Sequence, residues 1–200
     1  MGGVSLTDGT LVVEREPNRL DELAIPFSEL LADRDVDHVF VSGYLAILAG
    51  RPRGTNDVDV IVERLDRDAV DALVEEFDAA GYWGPAMPLE EMYGNLDAGT
   101  NIWVAPDGEM TPHLEVKFPT DPYDRASLSN AITAEIGDAT IPVGPIDLQI
   151  AYKLSMGAQK DFEDAAHLYT MFHETLSTER LEHWVERLGV TEEYARLESL

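Results

Sequence analysis

The sequence predicts an α/β (α+β) protein, a mixed β-sheet flanked by helices and followed by a C-terminal helical bundle. Three observations predict it. Helix-periodic and strand-like segments alternate over the first two-thirds of the chain, an Asp-x-Asp opens one of the strand-like runs, and from Pro145 onward the apolar residues fall at helical spacing.

The elements follow in order. Leu20, Leu23, Phe27, Leu30 and Leu31 recur at helical spacing, so the first helix is expected over Arg19 to Ala32. Val36 to Val41 runs apolar as a strand does. Ser42-Gly43 then marks the strand end, and Tyr44 to Ala49 reads as a short helix stopped by Gly50 and Pro52. Asp57 to Val62 is the second strand. Arg67 to Ala80 carries Val70, Leu73, Val74 and Phe77 on one face and ends before Gly81, as an amphipathic helix should. Gly84 to Gly99 is rich in Pro, Met and Gly and is expected to be loop. Asn101–Ala105 and His113–Phe118 look like a strand pair around Pro106-Asp-Gly108, and Ile132 to Ile141 like a small hairpin about Gly137-Asp138. Four helices follow, near Ile146–Met156, Lys160–Phe172, Thr178–Leu188 and Thr191–Leu197. Residues 1–144 are thus expected to form the core, and residues 145–200 a helical region packed on it.

Composition narrows the function classes. The chain has 200 residues, 44% of them hydrophobic, enough for a sizeable core. No apolar run reaches the length of a membrane span and the first residues lack a signal pattern, so a cytoplasmic protein without membrane contact is expected. Cysteine is absent, which excludes disulfides and thiolate metal sites and leaves oxygen or imidazole ligands. The 39 acidic against 14 basic residues give a formal net charge of −25. Self-repulsion of that size is screened in molar salt, where the Debye length falls to about 3 Å. Lysine survives only at Lys117, Lys153 and Lys160. This pattern resembles proteins of halophilic archaea. An acidic protein that avoids or mimics nucleic acid is the other reading, although the acids are spread along the whole chain.

The segment from Val41 to Val60 holds the candidate chemistry. Side chains in a strand repeat with period two, so Asp57 and Asp59 should point to one face. Two carboxylates so placed suit a hard divalent cation that also accepts phosphate oxygens. Ser42 and Gly43 would offer backbone N–H groups, and a hydroxyl, at a helix start where a phosphate can sit. Two carboxylates merely exposed at a strand end are the plainer reading of Asp57 and Asp59 taken alone.

Together, Ser42-Gly43, the lead-in Arg53-x-Thr55 and Asp57-x-Asp59 resemble the signature of the nucleotidyltransferase superfamily. More narrowly, they resemble the small prokaryotic members near the AbiEii type of toxin–antitoxin nucleotidyltransferases. The resemblance implies the nucleotidyltransferase fold, Mg²⁺ (or Mn²⁺) as cofactor, and a third carboxylate on a neighbouring strand. Glu115, mid-strand between His113 and Lys117, is the best candidate; a solvent-facing strand residue is the alternative. A second stretch, Ile146 to Asp164, is similar to a helix-loop-helix of the same family. It implies that Lys153 and Lys160 neutralise nucleotide phosphates, with Asp161 beside them. Asp164 reads better as a favourable charge in a helix's first turn.

The nucleotide-binding set implied is therefore Ser42, Gly43, Arg53, Thr55, Lys153, Lys160 and Asp161, and the catalytic and metal-binding set is Asp57, Asp59 and Glu115. The implied reaction moves a nucleoside monophosphate from a nucleoside triphosphate to a hydroxyl on RNA such as a tRNA end, a protein or a small molecule. A cognate toxin or antitoxin is the implied protein partner. The alternative, of another class, is an inactive antitoxin or regulatory module that binds nucleotide without turnover.

Overall fold

In a computed structural model, residues 3–200 are described. An N-terminal hairpin, β1 (Val4–Thr7) and β2 (Thr10–Val13), turns at Asp8-Gly9 and precedes helix α1 (Arg19–Ala32). Asn18 caps α1 through the N–H groups of Leu20 and Asp21, while Asp21 accepts from the Asn18 N–H at 2.6 Å, a reciprocal capping box. There follow β3 (His38–Phe40), α2 (Ser42–Leu48), β4 (Asp57–Val62), α3 (Arg67–Ala79), β5 (Tyr82–Trp83) and α4 (Met92–Asp97). Next come β6 (Ile102–Pro106), β7 (His113–Lys117), α5 (Pro122–Ser129), β8 (Ile132–Ile136) and β9 (Ala139–Val143). Four helices close the chain, α6 (Ile146–Met156), α7 (Gln159–Phe172), α8 (Thr178–Leu188) and α9 (Thr191–Glu198).

The strands form one mixed sheet in the order β1-β2-β8-β9-β3-β4-β7-β6-β5, so the expected α/β class with a mixed sheet is what the chain adopts. β4 lies inside it next to the central strand β3, antiparallel to β3 and parallel to β7. The pleat sorts β4 and β7 onto two faces. Val58, Val60, Leu114 and Val116 bury their side chains in the main apolar cluster, where Phe27 of α1 meets Phe77 of α3 at 5.0 Å between ring centroids. Asp57, Asp59, His113, Glu115 and Lys117 alternate with them and so belong to the other face. Over part of that face Ile61 packs with Val39, Val41 and, from α5, Leu128. Helix α6 packs against α7 and α8, and its apolar residues share the main cluster with the sheet. None of the helices among the described residues is long and apolar enough to cross a membrane.

Several expectations need correction. The Gly84–Gly99 stretch is not all loop, because Leu89, Met92 and Leu96 bury their side chains on a short helical turn and α4. The strand expected over Val36–Val41 pairs only from His38 to Phe40. The N-terminal hairpin and α5 lay outside the expected elements.

Candidate active site

β3 hands the chain to α2 beside β4: the Val41 N–H donates to the Asp59 carbonyl at 3.0 Å, so Ser42 emerges next to Asp59. Ser42 adopts φ +64°, a left-handed conformation that costs a residue with a Cβ about 1 kcal/mol. Two contacts hold it there. Its N–H donates to Gln149 Oε1 at 3.0 Å, and its hydroxyl hydrogen-bonds Asp59. Gln149 comes from α6, is buried, and sets its amide nitrogen 3.4 Å from the Ser127 hydroxyl. A Cβ at position 144 would meet that nitrogen at 2.7 Å, so glycine at Gly144 makes the room. The expectation that the Ser42 N–H stands free for a phosphate is thus corrected: Gln149 already engages it.

The parallel register of β4 and β7 sets Asp57 opposite His113 and Asp59 opposite Glu115, which puts the three carboxylates side by side on one face. Their surroundings differ. Burial raises the Asp57 pKa, but the Thr55 hydroxyl, its own backbone N–H, His113 and Arg53 outweigh it, so Asp57 is held below the usual carboxylate range. Burial also acts on Asp59, reinforced by the charges of Asp57 and Glu115. Ser42 and Lys117 offset this only in part, and Asp59 is pushed up to about 6. Glu115 Oε2 accepts from Asn101 Nδ2 at 3.1 Å, and Oε1 lies 3.6 Å from His113 Nε2. The His113 ring stacks on Trp103 at 4.1 Å, and its Nδ1 faces the Met110 carbonyl at 3.1 Å.

A second cluster borders the first. Asp164 is fully buried and bonds Arg53 at 2.6 Å and Lys153 at 3.1 Å, with Arg51 as a third cation. Lys153 also pairs with Asp161 at 2.8 Å, and Arg51 with Glu163 at 2.8 Å. The acid in the first turn of α7 is Asp161 and Asp164 lies beyond it, so Asp164 is a buried ionic hub and not the first-turn helix charge expected of it. The hub fixes the loop between α2 and β4. It places the Arg53 guanidinium against Gly43, where an added Cβ would come within 3.2 to 3.4 Å of it.

Of the residues singled out from the sequence, Asp57, Asp59, Glu115, Ser42, Gly43, Arg53 and Thr55 therefore come together, with Lys153 and Asp161 behind Arg53. Lys160 is exposed on the first turn of α7, and only its carbonyl is engaged, by Arg51 at 3.1 Å. Lys117 bonds Asp124 of α5 at 2.7 Å. Tyr44 on α2 is fully buried and donates to Asp21 at 2.8 Å. Gln149, Asn101 and Arg51 were missed. Gln149 stands inside the Ile146–Asp164 stretch, but nothing in its spacing marks it.

The donor set suits a hard divalent cation: three carboxylates, no sulfur, and enough mutual repulsion to raise Asp59. Asp57 is turned to Thr55 and Glu115 to Asn101, and among the described residues no three acidic or histidine side chains converge as a coordination sphere.

No protein-family model matches the chain, and no curated protein sequence does. Solved structures do. The chain is similar to an antigenic nucleotidyltransferase-like protein from Paracoccidioides brasiliensis, with TM-score 0.59 and 15% identity over 89% of each chain. It is also similar to the antibiotic-resistance factor ANT(2'')-Ia, with TM-score 0.50 and 15% identity over 91% of this chain and 97% of that one. The fold is that of nucleotidyltransferase-like proteins.

Proposed function

We propose that the protein is a metal-dependent nucleotidyltransferase that moves a nucleoside monophosphate from a nucleoside triphosphate to a hydroxyl acceptor. The observation that carries this reading is the register of β4 and β7, which sets Asp57, Asp59 and Glu115 on one face beneath the Ser42-Gly43 turn. Asp57, Asp59 and Glu115 would hold Mg²⁺ or Mn²⁺, which supplies charge neutralisation at the reacting phosphate. Arg53, seated against Gly43, would give positive charge for the outer phosphates, and Lys153 behind it, paired with Asp161 and Asp164, would help fix the hub that positions Arg53. The acceptor oxygen bonds to the α-phosphorus and the bond to the β-phosphate oxygen breaks, so pyrophosphate leaves. Glu115 takes the acceptor's proton. Positioning and charge supply most of the rate in such a displacement.

The acceptor is a hydroxyl of RNA, of a protein or of a small molecule, and the setting a toxin–antitoxin or defence pair, with a cognate toxin or antitoxin as partner. The net charge of −25 supports a cytoplasm of molar salt, where phosphate contacts of a polyanionic acceptor contribute little. A second reading has its own observation: the Ser42 N–H is taken by Gln149 and Glu115 by Asn101, the arrangement of a module that binds nucleotide without turnover.

The test is incubation with α-labelled nucleoside triphosphates, Mg²⁺ or Mn²⁺ and host lysate in molar salt. Label retained covalently on an RNA, protein or small molecule supports transfer. Nucleotide binding with no retained label under any of these conditions supports the binding module.

A further inference from the structure

Between α5 and α6 a cavity of about 190 Å³ opens onto Asp59. Val41, Ile61, Tyr123, Tyr152 and Met156 are among the residues that line it. Apart from Asp59 and the Tyr152 hydroxyl, the polar groups around it are already engaged. Gln149 holds the Ser42 N–H with its carbonyl oxygen and approaches Ser127 with its nitrogen. Asp124 accepts from Lys117 at 2.7 Å and from the N–H and hydroxyl of Thr120, each at 3.0 Å. The Tyr123 hydroxyl donates to the Arg187 carbonyl at 3.0 Å. What the cavity has left to offer is flat and apolar: the ring of half-buried Tyr152, the half-exposed thioether of Met156, and Ile61.

A ligand part that fits such walls is itself flat and is held by stacking and dispersion. Asp59 in the lining adds a second condition, since the rest of that ligand must be something a carboxylate-held cation binds, a phosphate chain. A nucleoside triphosphate meets both conditions. Stacking does not read a base edge, because every base has a π-face. The Tyr152 hydroxyl, which no hydrogen bond engages among the described residues, donates and accepts alike and so does not discriminate either.

We infer that this cavity takes the nucleobase of the nucleoside triphosphate by stacking on Tyr152 without reading its identity, so that the protein accepts purine and pyrimidine nucleotides alike. The inference rests on the nucleotide-binding reading above and adds its selectivity. Gln149 and Ser127, the residues placed to read an edge, are used instead to hold the strained Ser42 turn.

The experiment is equilibrium binding of non-hydrolysable adenosine, guanosine, cytidine and uridine triphosphate analogues to the full chain with Mn²⁺ in molar salt, alongside inorganic tripolyphosphate. Wild-type affinities for the four analogues should agree within about threefold, and Tyr152→Ala should weaken all of them by about tenfold or more, the scale of one lost base–aromatic stack. Tyr152→Phe should bind as the wild type does, and tripolyphosphate should bind wild type and Tyr152→Ala equally. A preference for one base above about thirtyfold, more than stacking differences supply, would overturn the inference. So would unchanged nucleotide affinity in Tyr152→Ala while tripolyphosphate still binds, an outcome that leaves the transfer reading standing. If neither tripolyphosphate nor any analogue binds, the nucleotide reading itself falls and the cavity's role with it.

Discussion

Replacing Asp164 by Asn tests how the C-terminal helices hold the Arg53 side of the site. The Asp164 side chain is fully buried and receives Arg53 at 2.6 Å, Lys153 at 3.1 Å and Arg51. The amide keeps the shape and removes the charge. Arg53 then has no carboxylate of its own, whereas Lys153 keeps Asp161 and Arg51 keeps Glu163. Breaking a buried ion pair by removing one partner costs about 3–5 kcal/mol, and the retained second partners argue for the lower end, about 3 kcal/mol. In a chain of this length each kcal/mol moves the thermal midpoint by about 2–4 °C, so a fall of about 6–12 °C is expected. Urea unfolding followed by circular dichroism in molar salt measures it. Asp97→Asn, which breaks the exposed Arg64–Asp97 pair, is the control and should cost about 1 kcal/mol or less. An Asp164→Asn protein within about 1 kcal/mol of wild type would refute the ionic hub, since a buried pair cannot be lost that cheaply.

The raised pKa of Asp59 gives a pH dependence with a definite sign. A carboxyl whose folded pKa of about 6 exceeds its ordinary value of 3.8 contributes stability that is fully present below the lower value and is lost as pH rises through the upper one. Without divalent cations, stability should therefore fall between about pH 4 and 6 on this account, and Mn²⁺ should raise the thermal midpoint more at pH 8 than at pH 5. Equal Mn²⁺ shifts at both would count against the site. Ser42→Ala removes the hydroxyl that draws Asp59 down, so carboxyl NMR should show the Asp59 midpoint moving further up; a fall would mean that the hydroxyl does not donate to it. Dialysis from molar to millimolar salt should lower the thermal midpoint steeply, because a net charge of −25 is then unscreened. An unchanged midpoint would assign the acidic surface another cause.

The sequence made the centre of the site legible where period and position coincide. Asp57 and Asp59 had to share a face because a strand repeats every two residues, and Glu115 could be placed mid-strand by the apolar residues around it. Strand register was not legible: that Asp59 faces Glu115 follows from a parallel β4–β7 pairing made across α3, β5, α4 and β6. Long amphipathic helices such as α1 and α8 emerged with their observed bounds, whereas β1 and β2, of four residues each, are too short to show a period. Helix α5 did carry a start signal, Asp121 capping with Pro122 in the first turn, but its few buried residues give no apolar stripe. The lysine pattern pointed to α6 and α7 but gave no sign of the ion pairs that Lys153 makes. Lys153 is sequestered by Asp161 and Asp164 because a buried ammonium needs a carboxylate, and the nearest ones come from α7.

The central claim is that chemistry occurs on the shared face of β4 and β7, and one paired measurement tests it most directly. Wild type, Asp57→Asn and Glu115→Gln would be given nucleoside triphosphate labelled at either the α- or the γ-phosphate, with Mg²⁺ and acceptor-containing lysate in molar salt. The account predicts that the α-label passes to the acceptor while the γ-label leaves in pyrophosphate. Glu115→Gln should bind nucleotide yet transfer about a hundredfold or more slowly, as loss of a general base requires. Asp57→Asn should lose both transfer and cation-dependent binding. Full transfer by either variant, or release of the γ-label as inorganic phosphate, would contradict it.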